Sequence, residues 1–358
     1  MGGLDSMEAM MALPEEQSGY RVRTWGEPPV WESFVLPRPG RDEAVVAVEA
    51  CGVGRTVINC INGDLSRDPA LLPVVPGHEL VGQVVDIGAE VPSRLEGRRV
   101  VAYFYLSCGS CAQCREGEDS RCSQLAGWVG VHRNGGYAPY AVLPAANLIP
   151  VPDGLGALEA TVVPDAVATP VHVVRRAGIG PGDRVAVLGA GGGVGAHMVQ
   201  VARSRGAEVA GLDITHDKLE ELERLGVRAV DSSGLPANVS PFGADPPTVV
   251  VDLVGTPQAT RWGMDALGPG GRMVALTTFR DRPVPFESRE LVFREIALVG
   301  SRYATKAEVA EAARLVSEGE VVPVIGEVAG PDAVLDLHAR ILTDELVGRG
   351  ALDWRGND

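Results

Sequence analysis

Basic residues are scarce in this chain: 32 lysines and arginines face 47 aspartates and glutamates, a formal net charge of −15. An acidic surface repels phosphate backbones and anionic lipid, so neither nucleic-acid nor membrane partners are expected. The sequence contains no run of about 18 apolar residues, the length a membrane-spanning helix needs. The first 20 residues, MGGLDSMEAMMALPEEQSGY, have no basic segment ahead of an apolar one and do not read as a signal peptide. They read as a loose extension, with Met7 and Met11 as alternative starts. Six cysteines are too few to staple 358 residues. Four of them cluster, which points to a metal and a reducing cytoplasm. No internal repeat or low-complexity tract is present.

What remains is an ordinary globular balance, 45% hydrophobic and 22% charged. The length exceeds one typical core and predicts two domains. The 45 glycines and 26 prolines are scattered, as tight turns require. From Tyr20 to about Asn147, short β-type runs (Glu43–Val48, Val81–Ile87, Arg99–Tyr105) alternate with Gly/Pro punctuation, as in a barrel-like all-β domain. From about Gly156 to Ser301, apolar strands alternate with amphipathic helices. The strands read Val185–Leu188, Val209–Leu212, Arg228–Val230, Thr248–Val254, Met273–Leu276 and Ile296–Val299. Near-continuous apolar strands in β-α alternation imply a buried parallel sheet with helices on both faces. A further helix is predicted over Lys306–Glu318.

The segment RVAVLGAGGGVGAHMVQVARSRGAEVAGLD carries a cofactor signal. A strand ends at Leu188, and Gly189, Gly191, Gly192, Gly193 and Gly195, with Val194, form a turn opening a helix over Val194–Arg205. Glycines let the backbone approach a pyrophosphate, and the free N–H groups and helix dipole favour its charge. Asp213 ends the next strand, where a carboxylate accepts from an adenosine ribose diol and repels a 2′-phosphate, favouring NAD over NADP. Lys218 is placed either beside the same ribose or in solvent on its helix.

CGSCAQCREGEDSRC sets Cys108, Cys111, Cys114 and Cys122 at C-x2-C-x2-C-x7-C spacing. Four thiolates in so short a loop can converge tetrahedrally on one zinc with no position left open, a structural site. An iron–sulfur cluster or disulfides are the competing uses of the same residues.

These two motifs in this order resemble the zinc-containing medium-chain dehydrogenase/reductase family, the alcohol dehydrogenase-like proteins, from about Tyr20 to Leu352. EACGVGRT, PGHE (Pro76–Glu79), GGYAPY (Gly135–Tyr140), LVGS (Leu298–Ser301) and GRGAL extend the resemblance. It implies a GroES-like β-barrel catalytic domain (residues 1–155 and 302–358, structural-zinc loop about 105–125). The partner is a Rossmann doubly wound parallel sheet binding NAD(H) (156–301). It also implies His78 as a catalytic-zinc ligand, Glu79 as its exchangeable carboxylate neighbour and Asp165 as the third ligand. Thr169 falls beside the nicotinamide, Arg349 on the pyrophosphate, and Phe104 in the substrate pocket or simply in the core.

The first metal ligand departs from the pattern. Where the family usually reads C-x-T/S-D-x-H, this sequence reads Gly54-Arg55-Thr56-Val57-Ile58-Asn59. Only Thr56 survives, as the hydroxyl that touches the substrate oxygen. Three arrangements follow: zinc held by His78, Asp165 and Glu79; a loop shift bringing in Cys51 or Cys60; or no catalytic zinc. The activity implied is NAD(H)-dependent hydride transfer on an alcohol or carbonyl. A ketone or activated double-bond reductase without catalytic zinc is the alternative enzyme, and a dinucleotide-binding sensor or scaffold the alternative outside enzymes. A homodimer or homotetramer through the sheet edge near Ile296–Ser301 is expected.

Overall fold

The computed structural model describes residues 13–234, 236, 239–277, 283 and 286–356. Its strands run in chain order as β1 (Glu16–Arg21), β2 (Val30–Val35), β3 (Glu43–Val53), β4 (Glu79–Ile87), β5 (Arg99–Ala102), β6 (Tyr140–Pro144) and β7 (Leu148–Pro150). They continue as β8 (Arg184–Leu188), β9 (Glu208–Asp213), β10 (Arg228–Asp231), β11 (Val249–Asp252), β12 (Arg272–Ala275), β13 (Ala297–Gly300), β14 (Ile325–Ala329) and β15 (Arg349–Asp353).

The N-terminal stretch is not loose as far as Tyr20. β1 pairs antiparallel with β2, Glu16 opposite Val35, and Tyr20 is buried. Met7 and Met11 lie outside the described residues. The valine-rich β3 is the spine of a sheet ordered β14-β15-β3-β4-β5-β7, with β6 also on β3. β3 runs five residues beyond the predicted Val48, because Cys51 and Gly52 still pair with Leu80 and Glu79 across the ladder. β5 stops at Ala102 rather than Tyr105.

The predicted β-α alternation forms a six-stranded sheet, β10-β9-β8-β11-β12-β13, parallel throughout. Its central strands β8 and β11 are buried along nearly their whole length, which explains their unbroken apolar character. The helix Gly195–Ser204 begins one residue after the predicted start, and Lys306–Ser317 ends one before the predicted end. Thr305 and Glu308 cap the latter reciprocally.

Two features position the site. A continuous apolar cluster joins Val101 of the first sheet and Tyr103 just after β5 to Val163, Val167, Val185 and Val251. The C-terminal β14 and β15 also return to the first sheet, β15 lying antiparallel to β3 with Gly350 opposite Val53. On the way, the Gly348 amide donates to the Gly191 carbonyl (2.9 Å), so the start of β15 passes under the glycine turn.

Candidate functional site

The glycine turn is built as its residues require. Gly189 has φ +74°, a left-handed conformation that side chains disfavour. A Cβ built on Gly195 would lie 2.2 Å from the Gly189 carbonyl oxygen and 2.7 Å from Ala190 Cα, so strand and helix meet closer than any side chain permits. Asp213 ends β9 buried, its Oδ2 accepting from the Gly191 amide (2.9 Å) and Oδ1 from the Ile214 amide (2.9 Å). The same carboxylate thus shapes the turn from beneath. His197 donates from Nδ1 to the Gly193 carbonyl (2.7 Å) while Nε2 accepts from the Val324 amide (3.1 Å). Burial lowers its pKa to about 4, which keeps it neutral. Lys218 is buried with its stem against Gly191, and its ammonium pairs with Asp344 at 2.8 Å rather than standing in solvent.

Alanine at position 195 is expected to destabilise the protein by about 1–3 kcal/mol, the usual cost of overpacking, seen as a lower urea midpoint, and to weaken NADH binding by titration. The backbone atoms it would strike cannot rotate away.

A second cluster lies beyond the turn. Gly77, at φ +96°, turns the chain so that His78 and Glu79 enter β4 fully buried. His78 packs against Phe104 with ring centroids 4.2 Å apart and the rings tilted by 35°. Its Nε2 has no hydrogen-bond partner and lies 3.4 Å from Glu79 Oε1 and 3.6 Å from Asp165 Oδ2. Asp165 sits in a π-turn, Val163–Val167, where the Val167 amide bonds back to Val162. Such turns re-aim one side chain out of helical phase. Thr169 donates to Asp165 Oδ1 at 2.8 Å.

Arg349 joins this cluster. Its Nε donates to Glu79 Oε2 (2.9 Å), and its Nη2 donates both to Glu79 Oε1 and to Asp165 Oδ2 (2.9 Å for the latter). The resemblance placed this residue on the pyrophosphate. The stem of Arg349 lies along Gly193, but its guanidinium is engaged by carboxylates. Burial opposes the Arg349 charge, yet Glu79 and Asp165 hold its pKa above the ordinary arginine value. Burial likewise opposes the Asp165 charge, but His78 and Arg349 outweigh it and lower the pKa. Cys51 and Cys60 are buried thiols whose pKa values burial raises, and neither is grouped with His78, Glu79 and Asp165. The loop shift that would recruit them is not formed.

The four loop cysteines converge: Cys108 and Cys114 sulfurs are 3.9 Å apart, as are those of Cys111 and Cys122. Disulfide sulfurs lie about 2.05 Å apart. Tetrahedral zinc with bonds of about 2.3 Å sets sulfurs roughly 3.8 Å apart. The spacing is therefore that of a metal knuckle. Backbone amides of Cys114 and Ser123 bring Cys111 down to about 5, while burial pushes Cys114 up to about 12.

Three contacts were not legible in the sequence. Tyr303, at φ +53°, accepts from the Phe104 amide (3.0 Å). Tyr103 donates to the Ala304 carbonyl (2.9 Å), and Arg302 donates to the Tyr105 hydroxyl (2.7 Å). Together they lock the loop after β13 to the wall that carries Phe104. Thr56, half-buried on the first turn of the helix Arg55–Ile61, lies two residues after Gly54, the residue that starts that helix.

Residues 40–153 match the alcohol dehydrogenase GroES-like domain and 193–318 the zinc-binding dehydrogenase family. L-galactonate-5-dehydrogenase of Escherichia coli K12 is 30% identical over 296 residues, 82% of this chain and 85% of that protein. An acryloyl-coenzyme A reductase of Metallosphaera sedula is 28% identical over 324 residues, covering 89% and 91%. The cobalt- and zinc-bound thermostable alcohol dehydrogenase of Pyrobaculum aerophilum superposes with a TM-score of 0.86 at 30% identity, covering 94% of this chain and 99% of that one. Identity at this level across nearly the whole length leaves one assignment: the chain belongs to the zinc-containing medium-chain dehydrogenase/reductase family, as an NAD-dependent oxidoreductase of the alcohol dehydrogenase kind.

Proposed function

We propose that the chain transfers hydride between NAD(H) in the glycine turn and a small alcohol or carbonyl substrate held between Thr56, His78 and Phe104. The observation that carries this reading is the adjacency of two buried clusters, the Gly189–Gly195 turn and the His78–Glu79–Asp165 group, linked by the single residue Arg349. Backbone amides at the turn take the pyrophosphate and Asp213 selects the ribose diol. Thr169 steadies Asp165 beside the nicotinamide. Thr56 hydrogen-bonds the substrate oxygen as hydride arrives at or leaves the adjacent carbon. The knuckle holds a structural zinc. Free thiols suit a reducing cytoplasm. The exposed Phe293 and Leu298 beside and on edge strand β13 suit a dimer or tetramer through that edge.

The three donors expected to hold a catalytic ion converge within 4.8 Å but do not fit one. No thiolate stands at Gly54, and Arg349 already spans the two oxygens that face His78. A divalent ion about 4 Å from a guanidinium is repelled by roughly 8 kcal/mol at an effective dielectric of about 20.

That misfit favours a second reading, reduction of a double bond conjugated to a carbonyl, which needs only hydrogen-bond donors at the oxygen. Following NADH oxidation against aldehydes, ketones and enones tests both readings, and turnover of none would defeat them. Thr56→Ala is expected to lower kcat by about 10²–10³, as loss of one donor aimed at a developing oxyanion does, with Thr56→Ser restoring most of it. An unchanged kcat removes Thr56 from the chemistry.

A further inference from the structure

We propose that the guanidinium of Arg349 takes the place of the catalytic ion in this chain, and that Gly54 is the residue that makes room for it. Gly54 has φ −137° and ψ 179°, extended backbone that any residue adopts, so conformation does not call for glycine there. Space does. A Cβ built on Gly54 would lie 2.2 Å from Arg349 Cζ, 2.3 Å from Nη1 and 2.6 Å from Nη2. A cysteine at 54 would push this guanidinium out of the place it holds between Glu79 and Asp165.

The register brings the two positions together. Gly350 is opposite Val53 at the end of the antiparallel pair, so Arg349 and Gly54 are the next residues along the two chains. Its backbone is pinned by the bond from its own amide to the Val324 carbonyl (2.8 Å) and by that from Gly348 to Gly191 (2.9 Å). The carboxylates are closed around it as well. Glu79 gives both oxygens to Arg349, and Asp165 gives Oδ2 to Arg349 and Oδ1 to Thr169. The guanidinium is a fixed cation that donates hydrogen bonds and keeps its proton. Arg349 is accordingly a positioning residue. It holds Glu79 and Asp165 and supplies the positive charge of the centre, while no ion enters.

This inference rests on the hydride-transfer reading for its purpose but not for its test. The full chain, purified from zinc-replete medium without chelator, is analysed for zinc against sulfur. The expected result is one zinc per chain, from the knuckle. Two per chain overturn the proposal. Dialysis of the same protein against excess cobalt(II) under reducing conditions covers loss during purification. It is expected to give only the thiolate charge-transfer spectrum of one ion, and a second cobalt with weaker d–d bands overturns the proposal. The double variant Gly54→Cys/Arg349→Leu is expected to take up the second ion that the natural chain refuses. If it folds and still binds one, the guanidinium is not what keeps the ion out. Turnover is scored separately: one zinc without NADH oxidation defeats the hydride-transfer reading alone, and two zinc with turnover defeats this inference alone.

Discussion

Methionine in place of Arg349 is expected to destabilise the protein by about 3–5 kcal/mol at neutral pH, the range for breaking a buried ion pair from one side. Glu79 and Asp165 would be left buried without their cation, 0% and 8% exposed. Methionine fills most of the stem's volume, so the loss reads charge rather than packing. The pH dependence has a definite sign. With Arg349 present, the Asp165 pKa lies below its unfolded value, so its contribution is held above the unfolded pKa and lost in strong acid. Without Arg349, burial is opposed only by His78 and Thr169, and the folded pKa is expected to rise above the unfolded one, a penalty that grows as pH rises and fades on acidification. Urea midpoints at pH 5 and pH 8 should therefore show a wider gap between variant and natural chain at pH 8. A gap that is equal at both, or widest at pH 5, would mean that Arg349 does not compensate these carboxylates.

Serine at Cys111 is expected to take the zinc content from one per chain to none and to lower the thermal midpoint by at least roughly 5 °C, the shift for a few kcal/mol in a chain of this size. The loop has little else to hold it. The helix Ala112–Arg115 buries no residue, and the turn Asp119–Arg121 buries only Ser120. Structural zinc contributes about 10–16 kcal/mol to otherwise unfolded peptides, and part of that is returned here as docking. Asp119 accepts from the Lys306 amide (2.9 Å), and Glu118 pairs with Arg175 (2.6 Å). Loss of the ion should free that surface. Full zinc content in the serine variant would place the metal elsewhere.

Serine at Cys111 and methionine at Arg349 probe two kinds of information. The cysteine knuckle and the glycine turn with Asp213 were legible because each is written within about 30 residues of chain, and the six parallel strands because each shows its own apolar run. Ligand spacing, φ-permissive glycines and apolar periodicity are local properties, and local geometry either satisfies them or does not. His78, Glu79 and Asp165 were legible one at a time through family resemblance, although the sequence pattern did not show that a π-turn aims Asp165 at the pair. Tyr303 gave no signal, since a tyrosine in a left-handed conformation looks like any other in a sequence.

Sequence by itself therefore determined the fold class, the cofactor and the structural metal loop. Tertiary structure alone decided what stands beside His78. Arg349 and Glu79 are 270 positions apart, and Arg349 meets Gly54 only because β15 closes on β3. A glycine for cysteine exchange reads in the sequence as a lost ligand. In three dimensions it is a vacated volume, and which charge fills a volume is fixed by strand register and packing.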